Sequence, residues 1–135
     1  MMRIVGVDRS VELQASLSPQ WAVGHNVPLV AVSSDVGDSG DGRIVGYDTS
    51  ATSLGHGVAE CDEVLARLHF ALTQQVPPER RDDDVILRVI GRQSPSLMRW
   101  ALTRAGLRLQ RQGTMMARGD YAEPSGGVYS PSVMY

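Results

Sequence analysis

Residues 85–112, VILRVIGRQSPSLMRWALTRAGLRLQRQ, carry a start signal, a periodic body and a stop signal in one run. Ile86 to Ile90 is an apolar stretch broken only by Arg88, which predicts a short strand with one charge at an edge or face. Gly91 ends it. Ser94 followed by Pro95 is the order of an N-cap and a first helical residue whose missing N–H costs nothing. Leu97, Met98, Ala101, Leu102 and Ala105 recur at helical spacing and predict about three turns of amphipathic helix. Gly106 stands where a left-handed C-cap is needed, a conformation that glycine adopts cheaply. Leu107 and Leu109 alternate with Arg108 and Gln110, the pattern of a half-buried strand.

Outward from this unit, the chain supplies elements to cover it. Arg3 to Val7 and Val11 to Ala15 predict early strands. Leu29 to Val32, preceded by Pro28, predicts a compact strand, and Arg43 to Tyr47 its hairpin return. Between them, DVGDSGDG is a polar, glycine-rich loop. Asp48 to Gly57 reads as a polar loop leading to a helix from Cys61 to about Gln75, with Cys61, Val64, Leu65, Leu68, Ala71 and Leu72 on its apolar face. Glu60, Asp62 and Glu63 suit the positive end of that helix. Pro77-Pro78 stops it, and ERRDDD follows as a solvated connector.

Strands grouped ahead of helices predict an α+β fold, a mostly antiparallel sheet with two amphipathic helices packed on it. A chain of 135 residues suits a single domain. Residues 1–118 are assigned to that domain. Residues 119–135, rich in Gly, Pro, Ser and Tyr, form a C-terminal tail that either docks or adds a strand near Val128 and Tyr129.

The net charge of -2 conceals a division. Residues 85–119 hold seven arginines and no acid, whereas residues 1–84 hold thirteen acidic and six basic side chains. No lysine occurs, and GC-rich coding alone can produce that. One cysteine excludes an intrachain disulfide and a cysteine-based metal cluster. No apolar run approaches the ~18 residues of a membrane span. The first residues lack the pattern of a secretory signal, so a cytoplasmic location is expected.

Cys61 with His56 or His69 is the available thiol–imidazole combination, and nucleophilic catalysis would require the two side by side. Cys61 on the apolar face is instead expected in the core, with His69 partly exposed. His25, His56 and His69 lack paired metal-ligand spacing, and Asp35, Asp38 and Asp41 depart from the calcium-loop pattern, so neither a metal nor a cofactor is expected. Ser53 to Gly57 resembles an anion-binding turn before a helix but lacks the P-loop lysine, and capping is the expected role. Aromatic content of 5% argues against a base-stacking platform, and therefore against nucleic acid as the partner.

Ile90-Gly91 and Ala105-Gly106-Leu107, separated by the amphipathic helix, resemble segments of the chemotaxis receptor glutamine deamidase family, which carries I-G-x-R-N, a helix and then F/A-G-I. The helix at Cys61 to Gln75 and the late Ser125-Gly126-Gly127 are also similar to family features. The resemblance spans most of the chain through short motifs. Its catalytic residues do not carry over. The family's nucleophile, in G-S-C-V-A-V, falls on Leu29, and its histidine falls on Gly46. What the resemblance implies is a diverged, non-deamidating scaffold that binds protein.

The resulting expectation is a non-catalytic protein-binding or adaptor domain. Its candidate surfaces are Arg92, Arg99, Trp100, Arg104 and Arg108, together with Tyr121 and Tyr129, since tyrosine, tryptophan and arginine anchor interfaces. The alternatives are a cysteine-dependent amidase or deamidase using Cys61 with His56, and a secretion-chaperone-like homodimer that light scattering would detect.

Overall fold

The computed structural model of the chain describes residues 14, 17, 26–34, 42–53, 55–114, 116, 118–123 and 125–131. The strand expected at Arg3 to Val7, most of that at Val11 to Ala15, and Asp35, Asp38 and Asp41 lie outside those residues, as does His25. Four strands, β1 (Leu29–Val32), β2 (Ile44–Asp48), β3 (Gly57–Ala59) and β4 (Val128–Ser130), form one antiparallel sheet in the order β1-β2-β3-β4. Helix α1 (Asp62–Thr73) follows β3, then a 3-10 turn at Pro78–Arg80, a short helix α2 (Arg81–Asp84) and helix α3 (Pro95–Thr103). This is the expected α+β arrangement, and among the described residues no helix is long and apolar enough to cross a membrane.

Strand register sorts the side chains. Leu29 pairs with Asp48, Asp48 with Gly57 and Gly57 with Ser130, and this row faces α1. The adjacent row, Val30, Tyr47, Val58 and Tyr129, points to the opposite face because side chains alternate along a strand. Val45 is the extra residue between the pairs Ala31–Gly46 and Val32–Ile44, a bulge that bends β2 near the edge of the sheet. Gly46 sits where strands β2 and β3 approach closely: a Cβ there would lie 2.8 Å from the Ala59 Cβ and 2.9 Å from the Val58 carbonyl oxygen.

The core lies between sheet and helices. Ala59, Leu65, Ala66, Leu97 and Val128 form one buried cluster, flanked by Leu87, Val89 and Trp100. Ala51, Leu72 and Val76 form a second. Leu65, Leu72 and Leu97 are completely enclosed, and each such side chain contributes on the order of 1.5–3 kcal/mol by leaving water. Helix α3 packs on the flank of α1 and reaches the sheet through Leu97.

Three local expectations change. Residues 86–90 are not a strand. Ile86 N–H donates to the Ala51 carbonyl (2.8 Å), the Arg88 guanidinium to the Ser53 carbonyl (2.7 Å), and Ser130 Oγ to the Arg88 carbonyl (2.9 Å). The segment thus holds the partly buried Leu87 and Val89 against the core through single tethers, without a ladder. Nor is Leu107 to Gln110 a strand; Leu109 is 66% exposed. The third change is β3 itself, a strand in place of the end of the expected loop, which removes Ser53 to Gly57 from any helix N-terminus. Residues 128–130 of the C-terminal segment complete the sheet as β4.

The cap of α3 also differs in mechanism. Gly106 has the expected positive φ of 70°, and Leu107 N–H closes back onto the Ala101 carbonyl at 2.9 Å. At the other end, however, Ser94 makes no side-chain capping bond. Asp62, in the first turn of α1, instead accepts the Leu97 N–H at 2.9 Å. One carboxylate therefore serves the positive ends of two helices.

Candidate functional site

The thiol–imidazole pair does not assemble. Cys61 is exposed, not buried with the apolar face. It precedes the first helical residue in extended conformation (φ -150°, ψ 164°), so its side chain does not follow the helix period that placed it with Val64, Leu65 and Leu68. It borders a groove of about 600 Å³ between β1 and α1, lined also by Arg43, Glu60, Val64, Arg67 and Leu68, and no described residue lining it is a histidine. Arg43 is ion-paired with Glu60 at that groove.

Both described histidines are buried and engaged. His69 is 2% exposed, contrary to the expectation of a partly exposed position, because it lies four residues after Leu65 and three before Leu72, at the centre of the buried stripe. Its Nδ1 is 3.0 Å from Asp48 Oδ2, joining α1 to β2. Its Nε2 is buried and meets no hydrogen-bond partner among the described residues. An aspartate–histidine pair can orient a general base, but a base must reach a substrate. Neither His69 nor Asp48 lines the groove between β1 and α1 or the one between α1 and α3.

His56, 4% exposed, belongs to the turn between β2 and β3. Thr49 N–H donates to the His56 carbonyl at 3.0 Å, His56 N–H donates to Thr49 Oγ1 at 3.0 Å, and the ring meets Tyr47 edge-on with centroids 5.6 Å apart. Asn26 Oδ1 accepts from Ser50 Oγ (3.0 Å) and Ala51 N–H (2.7 Å). These contacts satisfy a buried turn, which otherwise would leave backbone groups unpaired. The Thr49 and Ser50 hydroxyls and the His56 backbone are thus engaged within the turn. Among the described residues, no group of three or more histidine, cysteine or carboxylate side chains is placed to hold a metal ion.

The positions that the resemblance aligns with the family nucleophile and histidine are also placed. Leu29 opens β1 opposite Asp48, and Gly46 lies buried two residues before Asp48 on β2. Leu29 offers no nucleophile, and the space at Gly46 excludes even a methyl group without movement of β3.

The arginine-bearing segment divides into distinct environments. Arg92 is ion-paired with Glu123. Arg88 is tied to the Ser53 carbonyl. Arg99, Arg104, Arg108, Arg111 and Arg118 are exposed and form no ion pair among the described residues. Trp100 and Arg104 come together on one wall of a second groove, about 660 Å³, between α1 and α3. Phe70, on the opposite wall, is 56% exposed. Sequence reasoning missed Phe70. Its signal was present: it is the chain's one phenylalanine and falls outside the apolar stripe of α1. Arg99 and Arg108 do not line the groove. Tyr129 lies half-buried on β4, and Tyr121 is 48% exposed in the segment before it.

No family model, no curated protein and no solved structure matches the chain.

Proposed function

We propose that this chain is a non-catalytic protein-binding domain that engages its partner through the surface of α3 and the segment following it. The observation that carries this reading is the set of exposed arginines at positions 99, 104, 108, 111 and 118, which pair with no carboxylate among the described residues. Exposed guanidinium groups with free donor forks are suited to carboxylates on another molecule. Trp100 beside Arg104 adds the residue types that contribute most at interfaces. The separation of Cys61 from both described histidine environments favours this reading over an amidase.

The test is affinity capture from extract of the source cell, comparing wild type with an Arg104→Ser/Arg108→Ser variant and with Cys61→Ser. Wild type and Cys61→Ser should retain the same protein, and the arginine variant should lose it by about tenfold or more. Retention by the arginine variant would contradict the reading, and so would loss on Cys61→Ser alone.

A further inference from the structure

Strand β1 ends the sheet with its hydrogen-bonding edge open. Thr49 N–H donates to the His56 carbonyl, so Tyr47 and Thr49 turn their backbone groups toward β3, and Gly46 and Asp48 turn theirs toward β1. The partners Leu29 and Ala31 face back to β2, as does Ser33, whose N–H donates to the Arg43 carbonyl at 2.8 Å. The N–H and C=O groups of Val30 and Val32 therefore point out of the sheet, and they bond to no backbone group among the described residues. The strand, LVAV, carries neither a charge nor a proline to block such an edge. On its face away from α1, Val30, Val32 and the adjacent Ile44 are each more than half exposed. The opposite edge differs: Ser130 Oγ of β4 is bonded to the Arg88 carbonyl, and Leu87 and Val89 flank the core cluster that contains Val128.

We propose that β1 pairs antiparallel with β1 of a second copy of this chain, making one continuous sheet across a two-fold axis at Ala31. An open edge requires a strand whose own outward groups are free, and a second copy brings one of identical pattern. Residues directly opposite across antiparallel strands share a face, so the match can be read from the register. An axis at Ala31 sets Val30 against Val32 of the second copy and Val32 against its Val30, in bonded pairs that use the outward N–H and C=O groups. The exposed valines and Ile44 of both copies then join in one apolar strip. Leu29 falls opposite Ser33 of the second copy, on the side of the groove between β1 and α1, and the added strand closes that groove. The charged side chains lining it are paired within one copy, Arg43 with Glu60 and Arg67 with Glu63, so no unbalanced charge is carried across the axis. The two-fold consumes both open edges and stops the assembly at two copies. No residue of β1 lines the groove between α1 and α3, so this contact is independent of the α3 surface proposed above.

The experiment combines sedimentation equilibrium on the full chain with cysteine cross-linking. Across the axis the two Ala31 residues form a non-bonded pair with Cα atoms about 4.5 Å apart, within the reach of a disulfide. The wild type should be in a concentration-dependent monomer–dimer equilibrium, and Val32→Lys should raise its Kd about tenfold or more. Ala31→Cys/Cys61→Ser should oxidise to a disulfide-linked dimer, whereas Phe70→Cys/Cys61→Ser should not. Circular dichroism melting verifies that Val32→Lys is folded; if it is not, the cross-link decides alone. A wild type that is monomeric at every concentration would overturn the proposal, the outcome expected if another part of the same chain occupies the edge. Growth beyond two copies, a dimer that a folded Val32→Lys leaves intact, absence of the Ala31→Cys cross-link, or equal cross-linking from Phe70→Cys would each do the same.

Discussion

His69 and Asp48 form a buried side-chain pair between helix and sheet. Each is almost fully buried, and their 3.0 Å contact ties α1 to β2. A buried polar group that loses its partner retains the cost of leaving water without the compensating bond. Asp48→Ala and His69→Ala should therefore each lower unfolding stability by about 3 kcal/mol in urea titration. The double variant should lose less than the sum of the two, by about 1–2 kcal/mol, since neither member of the pair is then left buried without the other. Strict additivity would show that the two side chains do not depend on each other. This pair was hidden in the sequence because the participants are twenty-one residues apart and His69 stands next to leucines that account for the stripe without it. The helical angle between Leu65 and Leu72 did contain the signal.

At the level of elements, the first turn of α3 is capped from outside. Ser94-Pro95 marks where the helix begins, yet the N–H group of Leu97 is satisfied by Asp62 of α1, and Ser94 Oγ is buried without a partner among the described residues. Asp62→Ala should cost about 1–2 kcal/mol, through the lost bond and the lost charge near two helix N-termini. Ser94→Ala should change stability by less than about 0.5 kcal/mol, because it removes an unsatisfied hydroxyl. Urea midpoints for the two variants decide this, and the reverse ranking would restore Ser94 as the cap. Elements with self-contained signals were legible: β1, β2, α1 and α3 with its glycine stop depend on nearby residues. The three-residue β3 was not, since a strand of Gly57, Val58 and Ala59 is defined by β2 and β4 on either side. Conversely, the apolar run at 86–90 and the alternation at 107–110 met no ladder, and tethers to Ala51, Ser53 and Ser130 took the place of pairing for the first of them.

Across the whole molecule, Phe70, Trp100 and Arg104 come together on the flank formed by α1 and α3. The division between acidic and basic halves was plain in the sequence, but its meaning depended on whether the halves neutralise one another. They do not at Arg99, Arg104, Arg108, Arg111 and Arg118 among the described residues. Trp100 and Arg104 could be nominated from residue type, whereas their convergence with Phe70 required the packing of α3 on α1. The sheet edge offers a competing apolar surface, with Val30, Val32 and Ile44 each more than half exposed. A photo-crosslinking side chain placed at Phe70, and separately at Val30, distinguishes the two surfaces in the full chain incubated with cell extract. Covalent linkage from Phe70 to one protein, with little from Val30 to any protein but a second copy of the chain, is the predicted result. Linkage to a different protein from Val30 with none from Phe70 would contradict it and move the binding surface to the edge of the sheet.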